Sequence, residues 1–467
     1  MERELAGRKV VVLGLARQGI ALVRYLSRRG ARITVSDAKG AEALSKEIEA
    51  LQSVAVEYRL GGHPIDMLEG AGLLCLSGGV PNDLPVVEEA RRRNIAVTND
   101  TQLFLEDTPA AVIGITGSSG KTTTTTLVGR MAKLAEQEGL LHKAWIGGNI
   151  GNPLLNDVED MRQDDLAVLE LSSFQLELTS ARVPVAAILN ITPNHLDRHH
   201  TMDAYREAKA RILDCQRPED SAVLGWDSPE ARSLESRCRG RRWFFRAGEK
   251  SWDGDGAYLD GGWITVDRGG KTEAVAARET VLLRGAHNLS NAAAACAIGA
   301  AAGFPAAVMA RAIEGFRGVA HRLEFVGRRR GADWYNDSIA TAPERAIAAI
   351  RSFDEPLVLL AGGRDKKLPW GEWADWVKRR VDHVVLFGEA AELIRRELGE
   401  PGADGRPFSV VCVATLEEAV QKAERVVRPG CIVLLSPGGT SYDAFKDFEE
   451  RGEKFRELVN AIRDGDA

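Results

Sequence analysis

One stretch constrains this chain more than any other: Ala110 to Leu127, AAVIGITGSSGKTTTTTL. Ala110 to Ile115 is a short apolar run with the length and β-branched content of a buried strand. It breaks into Thr116, Gly117, Ser118, Ser119, Gly120, Lys121, Thr122 and Thr123, then into a polar segment that reads as a helix start. Strand, glycine loop and helix together surround a phosphate with backbone N–H groups and a helix N-terminus. In that geometry Lys121 neutralises the terminal phosphates and the Thr122 hydroxyl takes a Mg²⁺ site. Ile115 stands where the full pattern has its first glycine, while the GxxGKT half is intact. The stretch implies an α/β domain built around ATP or a close relative.

The rest of the chain must accommodate that domain. A length of 467 residues allows roughly three domains of ordinary size. With 44% hydrophobic and 27% charged residues, the chain has a globular composition. Net charge is −6, and the basic runs are short and scattered, which argues against a nucleic-acid partner. The N-terminal stretch has no signal-peptide pattern and no apolar run is long enough to span a bilayer, so no membrane partner and a cytoplasmic setting are expected. Cys75, Cys215, Cys238, Cys296, Cys412 and Cys431 are far apart and form no CxxC pair, which fits reduced structural thiols.

Residues 1–107 read as a Rossmann-like domain. Lys9 to Leu13 is a strand, Gly14, Leu15, Ala16, Arg17, Gln18 and Gly19 form a loop, and Ile20 to Arg29 has helical spacing with Gly30 at its C-cap. Ile33 to Ser36 is the next strand and ends in Asp37, close to the spacing of a dinucleotide fingerprint. Ala16 replaces the central glycine, so the motif supports a phosphorylated ligand without implying hydride transfer. Leu73 to Leu76 ends in a second tight loop, Ser77, Gly78, Gly79, at a strand's carboxyl end.

Residues 108–318 carry the phosphate loop and further polar strand ends. Trp145 to Gly151 is a glycine-rich turn containing Asn149, and Leu166 to Leu169 delivers Glu170 beside the loop, where an acidic group suits a nucleotide's Mg²⁺. Val185 to Leu189 leads into NITPNHLDRH, whose His195 becomes a candidate ligand because an acidic metal site is already indicated. Asp203 to Leu213 reads as a helix with Ala204, Tyr205, Ala208 and Ile212 on one face and Lys209 at its edge. Between about 240 and 280, Trp243, Trp252 and Trp263 with Asp-Gly turns suggest a small antiparallel insertion; Asp253 and Asp255 read as turn residues. Arg284 to Asn291 then opens an alanine-rich helix.

Residues 319–467 repeat the strand–loop–helix rhythm. Strands at Leu357 to Leu360, Val384 to Phe387, Val410 to Val413 and Ile432 to Leu435 predict a second Rossmann-like domain with its own crevice. No long Gly/Ser linker separates the three segments, so three rigid bodies with short hinges are expected.

Taken together, TGSSGKT at 116, GGNIG at 147, ELSSFQLE at 170, NITPNHLDRH at 190, AKARI at 208, HNLSN at 287, HRLE at 321, NDSIAT at 336 and SPGGTSYDAFKDFEERG at 436 resemble the Mur ligase family across essentially the whole chain. The resemblance implies an ATP-dependent amide ligase of peptidoglycan precursor synthesis, acting through an acyl phosphate. ELSSFQLE and FKDFEERG resemble the branch that adds D-glutamate to UDP-N-acetylmuramoyl-L-alanine. It implies that Gly14 to Gly19, Asp37, Ser77 and Gly78 hold UDP and that Asn149 contacts the muramoyl substrate. Thr116 to Thr123, with Asn288, Arg322 and Asp337, would hold ATP. Thr122, Glu170, His195 and a carbamylated Lys209 would hold two Mg²⁺ ions, and Thr341, Lys366, Ser441 and Phe448 would hold glutamate. A monomer is expected.

Some residues depart from the family pattern. Ile339 stands where many sequences of this branch have lysine, which leaves room for an L-glutamate-adding relative or, more remotely, another Mur or folylpolyglutamate-type ligase. SGGVP replaces SPGVP, and Ser119 replaces asparagine. A nucleotide-gated switch needs no Glu170, His195 and Lys209 together, and an NAD-linked dehydrogenase would rest on the first domain alone.

Overall fold

The computed structural model describes residues 5–149, 151–282, 285–399 and 406–463; Ile150 of the GGNIG turn and Arg284 lie outside the described residues. Three sheets organise the described residues. The first has five parallel strands, β1 Lys9–Leu13, β2 Arg32–Asp37, β3 Val56–Leu60, β4 Ala71–Leu76 and β5 Ala96–Asn99, in the order β3-β2-β1-β4-β5. Val10 and Val12 of β1 face Leu22 and Leu26 of helix Arg17–Arg28, while Val11 and Leu13 face Val86 and Val87. Both faces are covered, which is why β1 reads as a continuous apolar run.

The second sheet carries the phosphate loop. Its strands are β6 Ala111–Thr116, β7 Ala144–Gly148, β8 Leu166–Glu170, β9 Val185–Ile188, β10 Ser221–Gly225, β11 Arg241–Phe245, β12 Gly256–Asp260, β13 Trp263–Arg268 and β14 Lys271–Ala277. They run in the order β14-β13-β12-β11-β10-β9-β6-β8-β7. The chain leaves β6 towards β7, returns through β8, and crosses to β9 on the other side of β6. The loop after β6 therefore opens at the point where the winding reverses, where such sheets bind ligands. The expected antiparallel segment is present and is continuous with the central sheet. Only β12, β13 and β14 pair antiparallel, and β11 joins them in parallel to β10, so the segment extends the central sheet. Trp226, Phe244, Trp252 and Tyr258 pack ring against ring there, which explains the aromatic composition.

The third sheet contains β15 Glu324–Arg329, β16 Ala332–Asn336, β17 Leu357–Gly362, β18 His383–Phe387, β19 Ser409–Val413 and β20 Ile432–Gly438, ordered β15-β16-β20-β17-β18-β19. Only β15 is antiparallel to its neighbour. The last strand, β20, enters the middle of the sheet, which brings the loops after β16, β17 and β20 side by side. By contacts the chain divides into two compact units, one holding the first two sheets up to Phe316 and the other holding the third sheet from Arg317.

Candidate active site

The phosphate loop is held from the strand beside it. Ser118 N–H donates to Asn190 O at 2.9 Å, Ser119 N–H donates to Asn190 Oδ1 at 2.9 Å, and Asn190 Nδ2 donates back to Ser119 O at 3.1 Å. Gly120 has φ +79°, and a Cβ added there would sit 2.2 Å from Asn291 Oδ1, so glycine is required on both backbone and space grounds. Helix Lys121–Gln137 starts at the next residue, which puts Lys121 and Thr122 in its first turn. Lys121 Nζ donates to Gly117 O at 2.9 Å.

Strand register brings the acidic group alongside. Glu170, the last residue of β8, pairs with Ile115 of β6 and with Gly148 of β7. Asn149 Nδ2 donates to Glu170 Oε1 at 2.9 Å, whereas buried Glu170 Oε2 has no hydrogen-bond partner among the described residues. An orphaned, buried carboxylate oxygen beside a phosphate loop fits a hard cation such as Mg²⁺. Following β9, His195 and His200 both adopt positive φ, +54° and +63°, around a single helical turn. Such strain in residues other than glycine costs about 1–2 kcal/mol each and persists only where surrounding contacts impose it. Those contacts are visible. The Phe174 ring meets His195 edge-on at 5.2 Å and stacks flat on His199 at 5.1 Å, and His199 is anchored to Ser173 Oγ at 2.9 Å and Glu177 at 3.0 Å.

Lys209 corrects the sequence reading. Helix Met202–Ala210 ends before a 3-10 turn at Arg211–Leu213; Ala204 is exposed, and Lys209 is 1% exposed rather than at a helix edge. Its Nζ donates to Gly117 O at 3.0 Å and lies 4.6 Å from the centre of the Tyr205 ring. Burial first, and the charge of Lys121 second, hold the Lys209 ammonium well below the ordinary lysine range. Such a shift favours the neutral amine, which is the form of a lysine that can add CO₂ to give a carbamate.

In the first sheet the polar loops are braced against each other. Asp37 accepts from Leu15 N–H at 2.8 Å and from Lys39 N–H at 2.9 Å, so its carboxylate ties the β1 and β2 loops together. Gln18 Oε1 accepts from Gly78 N–H at 2.9 Å, and the Gln18 side chain also bonds Asp100. Arg17 reaches Gly151 O at 3.3 Å. Asp100 escaped the sequence reading. It is fully buried after β5, and burial pushes its carboxyl up to about 6. Its neighbours link the first sheet to the Glu170 turn, through Asn99 Nδ2 to Gln175 O at 2.8 Å and Gln175 Nε2 to Thr101 Oγ1 at 2.9 Å.

In the second unit Asp337 is buried, accepting from Ser436 Oγ at 2.9 Å and Leu323 N–H at 3.2 Å, and burial pushes its carboxyl up to about 7. Lys366 donates to Thr341 Oγ1 at 3.3 Å, and burial followed by the Arg345 charge lowers its ammonium. Ser441 is buried after β20, and Phe448 opens helix Phe448–Ala461. Asn288, in helix Ala286–Ala301, accepts from Asn291 Nδ2 at 3.0 Å. Asn190, which braces the phosphate loop, and Tyr205, which covers Lys209, are not among the expected site residues, although they lie inside NITPNHLDRH and beside AKARI.

Models of the Mur ligase MurD-like N-terminal domain, the Mur ligase middle domain and the Mur ligase glutamate ligase domain match residues 8–99, 115–299 and 321–439. A UDP-N-acetylmuramoylalanine–D-glutamate ligase from Pelotomaculum thermopropionicum is 41% identical over 466 residues, covering 100% of both chains. One from Thermoanaerobacter sp. is 38% identical over 98% of this chain and 100% of its own. Among solved structures, UDP-N-acetylmuramate–alanine ligase MurC from Thermotoga maritima superposes with a TM-score of 0.55 at 18% identity, covering 97% of this chain and 100% of that one. MurF from Acinetobacter baumannii gives 0.55 at 17% identity, over 96% and 93%. These likenesses bear out the three-part α/β fold. On the sequence relatives, which match it end to end, the chain belongs to the Mur ligase family, alongside the UDP-N-acetylmuramoylalanine–D-glutamate ligases.

Proposed function

We propose that this chain joins D-glutamate to UDP-N-acetylmuramoyl-L-alanine, with ATP as co-substrate and ADP and phosphate as products. The observation that carries the reading is the orphaned Glu170 Oε2 beside the phosphate loop, with two lysines converging on Gly117 O. Residues 1–107 bind the UDP portion, 108–318 bind ATP, and 319–467 bind glutamate. Gly14 to Gly19, Asp37, Ser77 and Gly78 line the UDP site, and Asn149 faces the reacting carboxylate. Asn288, Arg322 and Asp337 serve the nucleotide, and Thr341, Lys366, Ser441 and Phe448 serve glutamate.

A carboxylate is a poor electrophile, so its oxygen first attacks the γ-phosphorus of ATP, and ADP leaves. Two anions meet in that step, and Lys121 lowers the repulsion. Thr122, Glu170, His195 and Lys209, the last as its carbamate, would hold two Mg²⁺ ions, which would supply further neutralisation of charge on the phosphoryl group. The glutamate amine, in its neutral form, then attacks the acyl carbon, the acyl C–O bond breaks, inorganic phosphate departs, and the nitrogen gives up a proton to the departing phosphate or to water as the amide forms. The enzyme works as a cytoplasmic monomer. Following phosphate release from purified protein with Mg-ATP, UDP-N-acetylmuramoyl-L-alanine and either D- or L-glutamate tests this directly. Release that depends on both acceptor and D-glutamate is expected. Release with L-glutamate alone points to the other branch, consistent with Ile339, and no amino-acid-dependent release overturns the ligase reading.

A further inference from the structure

Arg451 is 0% exposed, yet no carboxylate hydrogen bonds to it among the described residues. Its Nε donates to Ser338 Oγ at 3.0 Å, and its Nη2 donates to Ser338 O at 2.9 Å and Gly439 O at 3.2 Å. Nη1 has no hydrogen-bond partner among the described residues and faces Gly363, where an added Cβ would lie 2.8 Å away. The guanidinium thus underlies the loops after β16, β17 and β20, the three that carry Thr341, Lys366 and Ser441. Ser338 Oγ in turn donates to Phe448 O at 2.8 Å, at the start of the helix that carries Arg451. Burial lowers the guanidinium to about 10, while half-buried Asp443 offsets part of its charge through space. Neutral carbonyl and hydroxyl partners orient a guanidinium without neutralising it, so a net positive charge remains beneath these loops.

We propose that Arg451 is a positioning residue for the amino-acid substrate, its buried charge favouring an amino acid with a second carboxylate. This rests on the ligase reading above and adds a source of charge where Ile339 supplies none. A purely structural clamp would not depend on the sign of that charge. The full chain is assayed for phosphate release with saturating Mg-ATP and UDP-N-acetylmuramoyl-L-alanine, titrating D-glutamate and, in parallel, D-glutamine. Wild type must first show glutamate-dependent release; without it the ligase reading fails, independently of Arg451. For Arg451→Met we expect the KM for glutamate to rise roughly tenfold, the size of one charge interaction at intermediate dielectric. The KM for ATP should stay within about twofold, and the preference for glutamate over glutamine should fall. Arg451→Lys should retain most of that preference. Asp443→Asn, at a half-buried surface position, should lower the KM for glutamate, and it decides the matter if Arg451→Met does not fold. An unchanged glutamate-to-glutamine ratio in Arg451→Met, or an unchanged or raised glutamate KM in Asp443→Asn, overturns the proposal.

Discussion

Gly117 O accepts from two lysines, Lys121 at 2.9 Å and Lys209 at 3.0 Å. Two ammonium groups on one carbonyl repel, and of the two Lys209 is the more deeply buried, so burial and the neighbouring Lys121 charge lower its ammonium. A methionine of similar length fills the same space without a polar head. Lys209→Met should therefore keep the fold and bind ATP while losing nearly all turnover, as read by thermal unfolding, nucleotide calorimetry and phosphate release. Full activity in that variant would remove Lys209 from the reaction. Asp337 makes a pH argument at the same scale. Its carboxyl is raised from an ordinary 3.8 to about 7, so between those values the folded state holds a proton that the unfolded state has lost. The stability this contributes is fully present below about pH 4 and disappears as pH rises through about 7. Asp337→Asn mimics the neutral form at every pH. Its stability relative to wild type should improve by about 3 kcal/mol between pH 5 and pH 8, measured by urea unfolding. A difference that does not change with pH would mean that Asp337 is ionised in the fold.

Elements were legible in proportion to how fully they are buried. β6, β8 and β20 are apolar on both faces, and each is visible in the sequence to within a few residues. β3, an edge strand whose residues alternate between exposed and half-buried, carries no such run and was missed. The candidate site divides along similar lines. Lys121, Glu170 and His195 announce themselves through loop chemistry at strand ends. Lys209, Asp100 and Arg451 do not, because charged side chains in helices are ordinarily assigned to solvent and only the packed neighbours, such as Tyr205 over Lys209, bury them. The turn into helix Lys121–Gln137 is an element-scale feature with a direct test. At φ +79°, and with Asn291 Oδ1 only 2.2 Å from where a Cβ would stand, Gly120→Ala combines left-handed strain with a clash. The variant should lose about 1 kcal/mol or more of stability and most of its ATP affinity, as read by calorimetry. Wild-type affinity would show that the loop rearranges when nucleotide binds.

At the scale of the whole molecule, a single apolar core joins the first two sheets. Leu22, Leu26 and Leu103 belong to the same cluster as Leu154, Leu155 and Leu169. Polar bonds cross the same boundary from Asn99 to Gln175 O and from Gln175 to Thr101. The third sheet has its own cores on its two faces. A chain ending at Phe316 keeps the phosphate loop, Glu170, His195 and Lys209, and it keeps the core that encloses them. It loses Arg322 and Asp337 together with every residue proposed to hold glutamate. Such a truncated chain should unfold cooperatively on its own and still bind Mg-ATP, as read by urea unfolding and nucleotide calorimetry. It should release no phosphate in response to D-glutamate, even with UDP-N-acetylmuramoyl-L-alanine present. Glutamate-dependent release by the truncated chain would place amino-acid recognition in the first unit and displace Thr341, Lys366, Ser441 and Phe448 from that role. Failure to unfold cooperatively would instead show that the first two sheets need the third to be stable.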